Sequence, residues 1–207
     1  MKTLIIIVSI LFILSGILPS FAQETNPGFT NAVTLSNISS DSASPDMITS
    51  SDGIFALWIE NKSGKSDVFF SKSTDGGNTF ATPIDLSESS VGQSNYAAFA
   101  EKDKNVYVVW QTSLSGTASV FLTKSSDGGA SFGKPVMISD KSKLAAFPQI
   151  AISDAHVYSA WLEKSDNNST NVVFTKSDDQ ANSFGAPLFL TQNLGNSGIP
   201  KLLATGN

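Results

Sequence analysis

Three observations predict an all-β fold assembled from a repeated four-stranded unit. An octapeptide recurs at a constant step. β-Branched and aromatic residues crowd the segments between clusters of turn formers. No segment beyond the first 22 residues keeps a helical apolar period over three turns. The octapeptide is Ser73-Thr74-Asp75-Gly76-Gly77-Asn78-Thr79-Phe80, repeated as Ser125-Ser126-Asp127-Gly128-Gly129-Ala130-Ser131-Phe132. A degraded third copy runs Ser177-Asp178-Asp179-Gln180-Ala181-Asn182-Ser183-Phe184. Asp75, Asp127 and Asp179 are spaced by 52 and 52, and Trp58, Trp110 and Trp161 by 52 and 51.

Each unit reads as four short strands. The first follows a proline slot, as in Met47-Ile48-Thr49 after Pro45 or Gln149-Ile150-Ala151-Ile152 after Pro148. The second carries the tryptophan, over residues 54–59, 106–111 and 157–162. The third covers 68–72, 120–124 and 172–176, and the octapeptide turns it into a fourth at 83–86, 135–138 and 187–190. Units of this size, at about 45–87, 97–139 and 148–191, predict the blades of a β-propeller. Residues 29–36 align with the fourth strand of a unit, and 200–205 with the first strand of another. Three complete blades with an orphan strand at each end amount to a partial ring, either truncated or completed by another copy.

Residues 1–22 are expected to lie outside this fold. Lys2 precedes an apolar run from Leu4 to Leu18, and Ser20-Phe21-Ala22 offers small residues at the two positions a signal peptidase reads. The expected mature domain is 23–207, secreted or held at the cell surface. Contact with a membrane is expected only if the segment stays uncleaved, and the run is shorter than the roughly 20 residues that span a bilayer.

Composition excludes several classes of function. The chain has 18 acidic residues against 13 basic ones, all lysine, and a net charge of −5. That balance argues against nucleic acid as a partner. With no cysteine there is no disulfide framework, thiolate metal site or cysteine nucleophile. The single histidine, His156, has no clustered ligands, and Asp166-Asn167-Asn168 lacks the loop spacing of a calcium site. No metal or cofactor is expected.

The chemistry of the octapeptide is that of its backbone. Glycine takes the positive φ that a tight hairpin needs, and an aspartate accepts from nearby turn amides. An acidic ligand for a metal or sugar is the other reading. Recurrence of the same aspartate at the same offset in every unit favours the stapled turn, because a catalytic carboxylate need occur only once. Phe80 and its counterparts would fold back as apolar plugs. In the third copy an alanine at a left-handed position should cost about 1 kcal/mol and loosen the turn.

The octapeptide resembles the Asp box, Ser-x-Asp-x-Gly-x-Thr-Trp/Phe, of the sialidase-like (BNR-repeat) β-propellers. The matching positions are Ser73, Asp75, Gly77, Thr79 and Phe80, then Ser125, Asp127, Gly129, Ser131 and Phe132, then Ser177, Asp179, Ser183 and Phe184. The resemblance implies a propeller whose boxes are structural and lie on the rim, away from a central ligand pocket. It also implies what an active sialidase of this fold would carry: three arginines on the substrate carboxylate, a tyrosine nucleophile paired with a glutamate, and an aspartate as acid/base. The sequence contains no arginine, and lysine does not replace its planar two-pronged grip. Tyr107 and Tyr158 occupy equivalent repeat positions and read as core or edge residues. Tyr96 stands alone, just before a first strand, as a candidate to line a pocket.

Other propellers with Asp boxes cleave glucans with paired aspartates near the hub. Asp46 is the acid in that frame; its counterparts are Ala98, Gln149 and Lys201. No partner carboxylate can be named beside it. The three tryptophans sit inside apolar strands and are expected between blades. The expected function is an exported, non-catalytic binding or scaffold module with a glycan or protein ligand. The alternative is a fragment of a sialidase-like exo-glycosidase that lacks its catalytic arginines. Self-association to complete the ring is a further expectation.

Overall fold

A computed structural model describes residues 31–205 except Ile38, Ala155, Asn167 and Asn193. The expected signal segment and the first two residues of the leading orphan strand, Phe29 and Thr30, lie outside the described residues. The chain divides into residues 1–32 and 33–207, and the second unit holds the blades.

The first blade consists of β1 (Asp41–Ser50), β2 (Gly53–Lys62), β3 (Lys65–Ser73) and β4 (Ile84–Asp85). The second is β5 (Gln93–Lys102), β6 (Asn105–Leu114), β7 (Thr117–Ser125) and β8 (Val136–Met137). The third is β9 (Ala145–Ser153), β10 (His156–Lys164), β11 (Thr170–Ser177) and β12 (Leu188–Phe189). Each sheet is antiparallel with its strands in chain order. No helix occurs among the described residues. The fold is that of three propeller blades in a partial ring.

Alternation along the strands builds the seams between blades. Phe55, Leu57 and Ile59 of β2, with Val68 and Phe70 of β3, face the second blade and meet Phe99, Val106, Val108 and Trp110. One step on, Tyr107, Val109 and Leu122 meet Ile150 and Val157 of the third blade. Trp161 and Val173 close against Val120. The middle strands of the second blade are thus apolar on both faces, because a blade packs on each side of it. Burying residues as large as Trp110 and Phe70 contributes roughly 1.5–3 kcal/mol each before entropy is counted.

The first strands β5 and β9 make the most extensive contact across the second seam, whereas across the first seam β5 meets β3 more than it meets the first strand β1. Each first strand carries a β-bulge at the same place. Register breaks between Ala43 and Asp46 in β1 and between Asn95 and Ala98 in β5; in β9 the break falls opposite Ala160 and Leu162. The bulged residue has a positive φ in every blade: 51° at Ser44, 51° at Tyr96 and 54° at Phe147.

Three expectations need correction. First strands begin earlier than the proline slot suggests, so Tyr96 lies inside β5 rather than before it. The fourth strands shrink to two residues, because the chain leaves the ladder at the proline; single bonds such as Leu86 N–H to Val68 C=O at 2.8 Å extend them. Residues 33–36 and 200–205 form no strand: among the described residues no third strand pairs with the former and no second strand with the latter. They nonetheless lie where the repeat puts them: Leu35 beside Trp58, and Leu202 beside Tyr158 and Phe174.

Candidate functional site

The octapeptide turns share one hydrogen-bond pattern. Ser73 Oγ donates to Asp75 Oδ1 at 2.8 Å and accepts from Gly77 N–H at 2.9 Å. Asp75 Oδ1 accepts from Thr79 N–H at 2.9 Å and Oδ2 from the Thr79 hydroxyl at 2.6 Å. Ser125, Asp127, Gly129 and Ser131 repeat the pattern, as do Ser177, Asp179, Ala181 and Ser183. Each serine is buried while its aspartate faces solvent. Donors on both oxygens hold the carboxylates in the charged form: Asp75 and Asp179 are lowered to about 2, through the hydroxyls of Thr79 and Ser183 first, and Asp127 lies well below the ordinary range through Ser131. A carboxylate so engaged has little capacity left for a proton or a metal.

The third turn is not looser, contrary to expectation. Gln180 and Ala181 take φ of 59° and 63°, and Ala181 N–H still meets Ser177 Oγ at 2.8 Å. The reason lies across the seam. A methyl group built on Gly129 would stand 2.7 Å from Phe70 Cζ. The residue in Phe70's place for the third turn is Leu122, and Ala181 packs into the cluster around it. Phe132 and Phe184 plug the seams behind them, Phe132 against Phe70 with centroids 4.9 Å apart. Phe80 is part-buried on the first blade.

The turns sit at the blade end that carries the first-to-second strand loops; Gly128 N–H reaches Lys104 C=O at 2.8 Å. The bulges lie toward the other end. There Tyr96 and Phe147, from adjacent first strands, pair with ring centroids 4.3 Å apart, and Tyr96 is 48% exposed. Positive φ is uncommon for bulky residues and marks sites worth examining. Sequence reasoning singled out Tyr96 and missed Phe147; its signal was available, since Phe147 is the counterpart of Tyr96 one repeat on.

Asp46 belongs to β1 of the first blade and not to the two strands that carry that pair. Its carboxylate is exposed, accepts from Met47 N–H at 2.8 Å, and lines a cavity of about 550 Å³ with Leu35, Met47 and Trp58. Asp46 is the one acidic residue among those lining it. Tyr107 is buried in the second seam and Tyr158 is half-buried in the third blade. His156 sets Nδ1 2.6 Å from Asp178 Oδ1, which Lys176 also reaches at 2.5 Å. Among the described residues, no three His, Cys, Asp or Glu gather in a way that could hold a metal.

Each tryptophan donates its indole N–H two residues along its strand: to Glu60 Oε2 at 3.3 Å, Thr112 Oγ1 at 3.1 Å and Glu163 Oε2 at 3.2 Å. Both glutamates are buried. Burial pushes Glu60 up, but bonds from Ser40, Trp58 and Asn37 together hold it below its ordinary value. Burial raises Glu163, which has only Trp161 as a hydrogen-bond donor among its influences.

No protein-family profile matches the sequence, and no curated protein is similar to it in sequence. Solved structures are similar in fold. A Hadza microbial sialidase matches with a TM-score of 0.56 at 15% identity, over 69% of this chain and 36% of its own. A Dyadobacter fermentans protein of unknown function matches with 0.56 at 16%, over 72% and 54%. The Trypanosoma rangeli sialidase, in complex with 2,3-difluorosialic acid, matches with 0.52 at 14%, over 70% and 30%. The chain therefore spans between 30% and 54% of the length of these three structures, and the likeness is one of fold.

Proposed function

We propose that this chain is an exported, non-catalytic segment of an Asp-box propeller that binds carbohydrate along its first strands. The observation that carries the reading is the Tyr96–Phe147 pair on adjacent first strands, with Tyr96 exposed, Phe147 part-buried beside it, and both at bulges of positive φ. A pyranose ring presents a face of C–H groups, and an aromatic pair offers large apolar area at little conformational cost. The fold neighbours named as sialidases support the ligand class. Export rests on Lys2 and the apolar run after it.

The second reading, a piece of a sialidase-like exo-glycosidase, is favoured by the same neighbours and opposed by the absence of arginine from the sequence. One experiment separates them. The purified chain is applied to immobilised glycans and assayed for released sugar. Binding without release, lost at least tenfold in Tyr96→Ala while Phe80→Ala retains it, supports the proposal. Binding indifferent to Tyr96→Ala, or turnover of a sialoside, overturns it.

A further inference from the structure

The third blade holds an oxygen-rich gap on the face that Trp161 and Val173 turn toward the second blade. Glu163 in β10 and Asn171 in β11 are direct cross-strand partners, 4% and 3% exposed. Side chains at paired positions share one face and stand side by side. Asn171 Oδ1 is buried with no hydrogen-bond partner. Both line a cavity of about 170 Å³. The Glu163 carboxylate and the orphan Asn171 oxygen are acceptors on neighbouring side chains, and the nearby cation is engaged elsewhere: Lys143 pairs with Asp166 at the mouth. The other blades solve this position differently. Glu60 receives the Ser40 hydroxyl at 2.6 Å, and its cross-strand neighbour Asp67 receives Ser87 at 2.8 Å and Lys65 at 2.9 Å. In the second blade a neutral Thr112 replaces the acid.

The geometry points to a neutral Glu163 that donates its carboxyl proton to Asn171 Oδ1, making this gap a pH-sensitive latch. One proton would convert two neighbouring acceptors into a donor–acceptor pair and remove a buried charge, the two costs such a site otherwise carries. Burial, then the nearby Asp140, favour the protonated form; Trp161 and Lys143 oppose it, and Asp166 occupies Lys143. Glu163 binds a proton that the unfolded chain releases above about 4.5, so its contribution to stability falls as pH rises from there and is lost once Glu163 ionises. Ionisation would draw Lys143 inward from Asp166 and loosen the 139–144 connection.

Infrared difference spectroscopy of the full chain near about pH 6, where ordinary carboxyls are ionised, tests this. The wild type should show a protonated-carboxyl band that is missing in Glu163→Gln. In Asn171→Leu the band should persist and shift as its acceptor is lost, a measurement that stands even if Glu163→Gln fails to fold. Glu163→Gln should also abolish the fall in stability with rising pH at this site, whereas Glu60→Gln should leave it in place. A wild type without the band, with Asn171 turning its amide N–H to an ionised Glu163, overturns the proposal.

Discussion

Phe132 stands edge-on to Phe70, ring centroids 4.9 Å apart and planes at 72°, so the last residue of one octapeptide closes the seam to the blade before it. Phe132→Ala should therefore cost about 2 kcal/mol, from lost burial and a lost aromatic pair. Phe80→Ala should cost less than half as much, because Phe80 belongs to none of the seam clusters. Urea unfolding of both variants checks the ratio; equal losses would mean that the phenylalanine serves its own turn rather than the seam.

The exchange of glycine for alanine in the third turn is a packing statement, and it can be reversed. Gly129→Ala should destabilise strongly, since the new methyl meets Phe70 Cζ at 2.7 Å and Cε1 at 2.8 Å on a backbone with φ of 83°. Adding Phe70→Leu recreates the pairing of Leu122 with Ala181. The double variant should recover about 1 kcal/mol relative to the sum of the singles. Strict additivity in a double-mutant cycle would show that φ alone, not space, selects glycine there.

These couplings mark the limit of what the sequence made legible. Strand order, blade size and the octapeptide turn followed from local rules: alternation, glycine at positive φ and a step of 52 from Asp75 to Asp127. Contacts across seams did not. Nothing local to Gln180-Ala181 announces that Leu122, some sixty residues earlier, makes room for it. The pairing of Tyr96 with Phe147 needed the bulge, which shifts register without any glycine to signal it. Glu60 and Glu163 look equivalent two places after a tryptophan; their opposite electrostatics follow from the bonds that Ser40 and Asn37 give Glu60 and from burial outweighing Trp161 and Lys143 at Glu163.

The turn aspartates predict the acid limb of stability. Asp75 and Asp179 have folded values near 2, below the 3.8 of the free side chain, and Asp127 lies lower still. A depressed carboxyl stabilises the fold above its unfolded value, and the contribution is lost as pH falls through the folded one. Wild-type stability should thus decline from about pH 4 toward 2. Replacing all three by asparagine should flatten that decline while lowering stability at neutral pH. A denaturation series over pH settles it; an unchanged acid limb would assign acid unfolding to other carboxylates.

The last strand-like segment offers a test of the repeat frame itself. Leu202 is the counterpart of Phe99 and Ile150, which face the preceding blade, and it is part-buried against Tyr158 and Phe174. Leu203 is the counterpart of Ala100 and Ala151 and is 86% exposed. If the frame governs packing, Leu202→Asp should destabilise by about 1–2 kcal/mol, the loss expected from charging a part-buried apolar contact. Leu203→Asp should stay within about 0.5 kcal/mol of wild type, as exposed substitutions do. Tyrosine fluorescence from Tyr158 adds a local readout that should move for Leu202→Asp alone. Equal effects from both variants would mean that residues 200–205 rest on the third blade without register, and that the first-strand frame ends at Ser153.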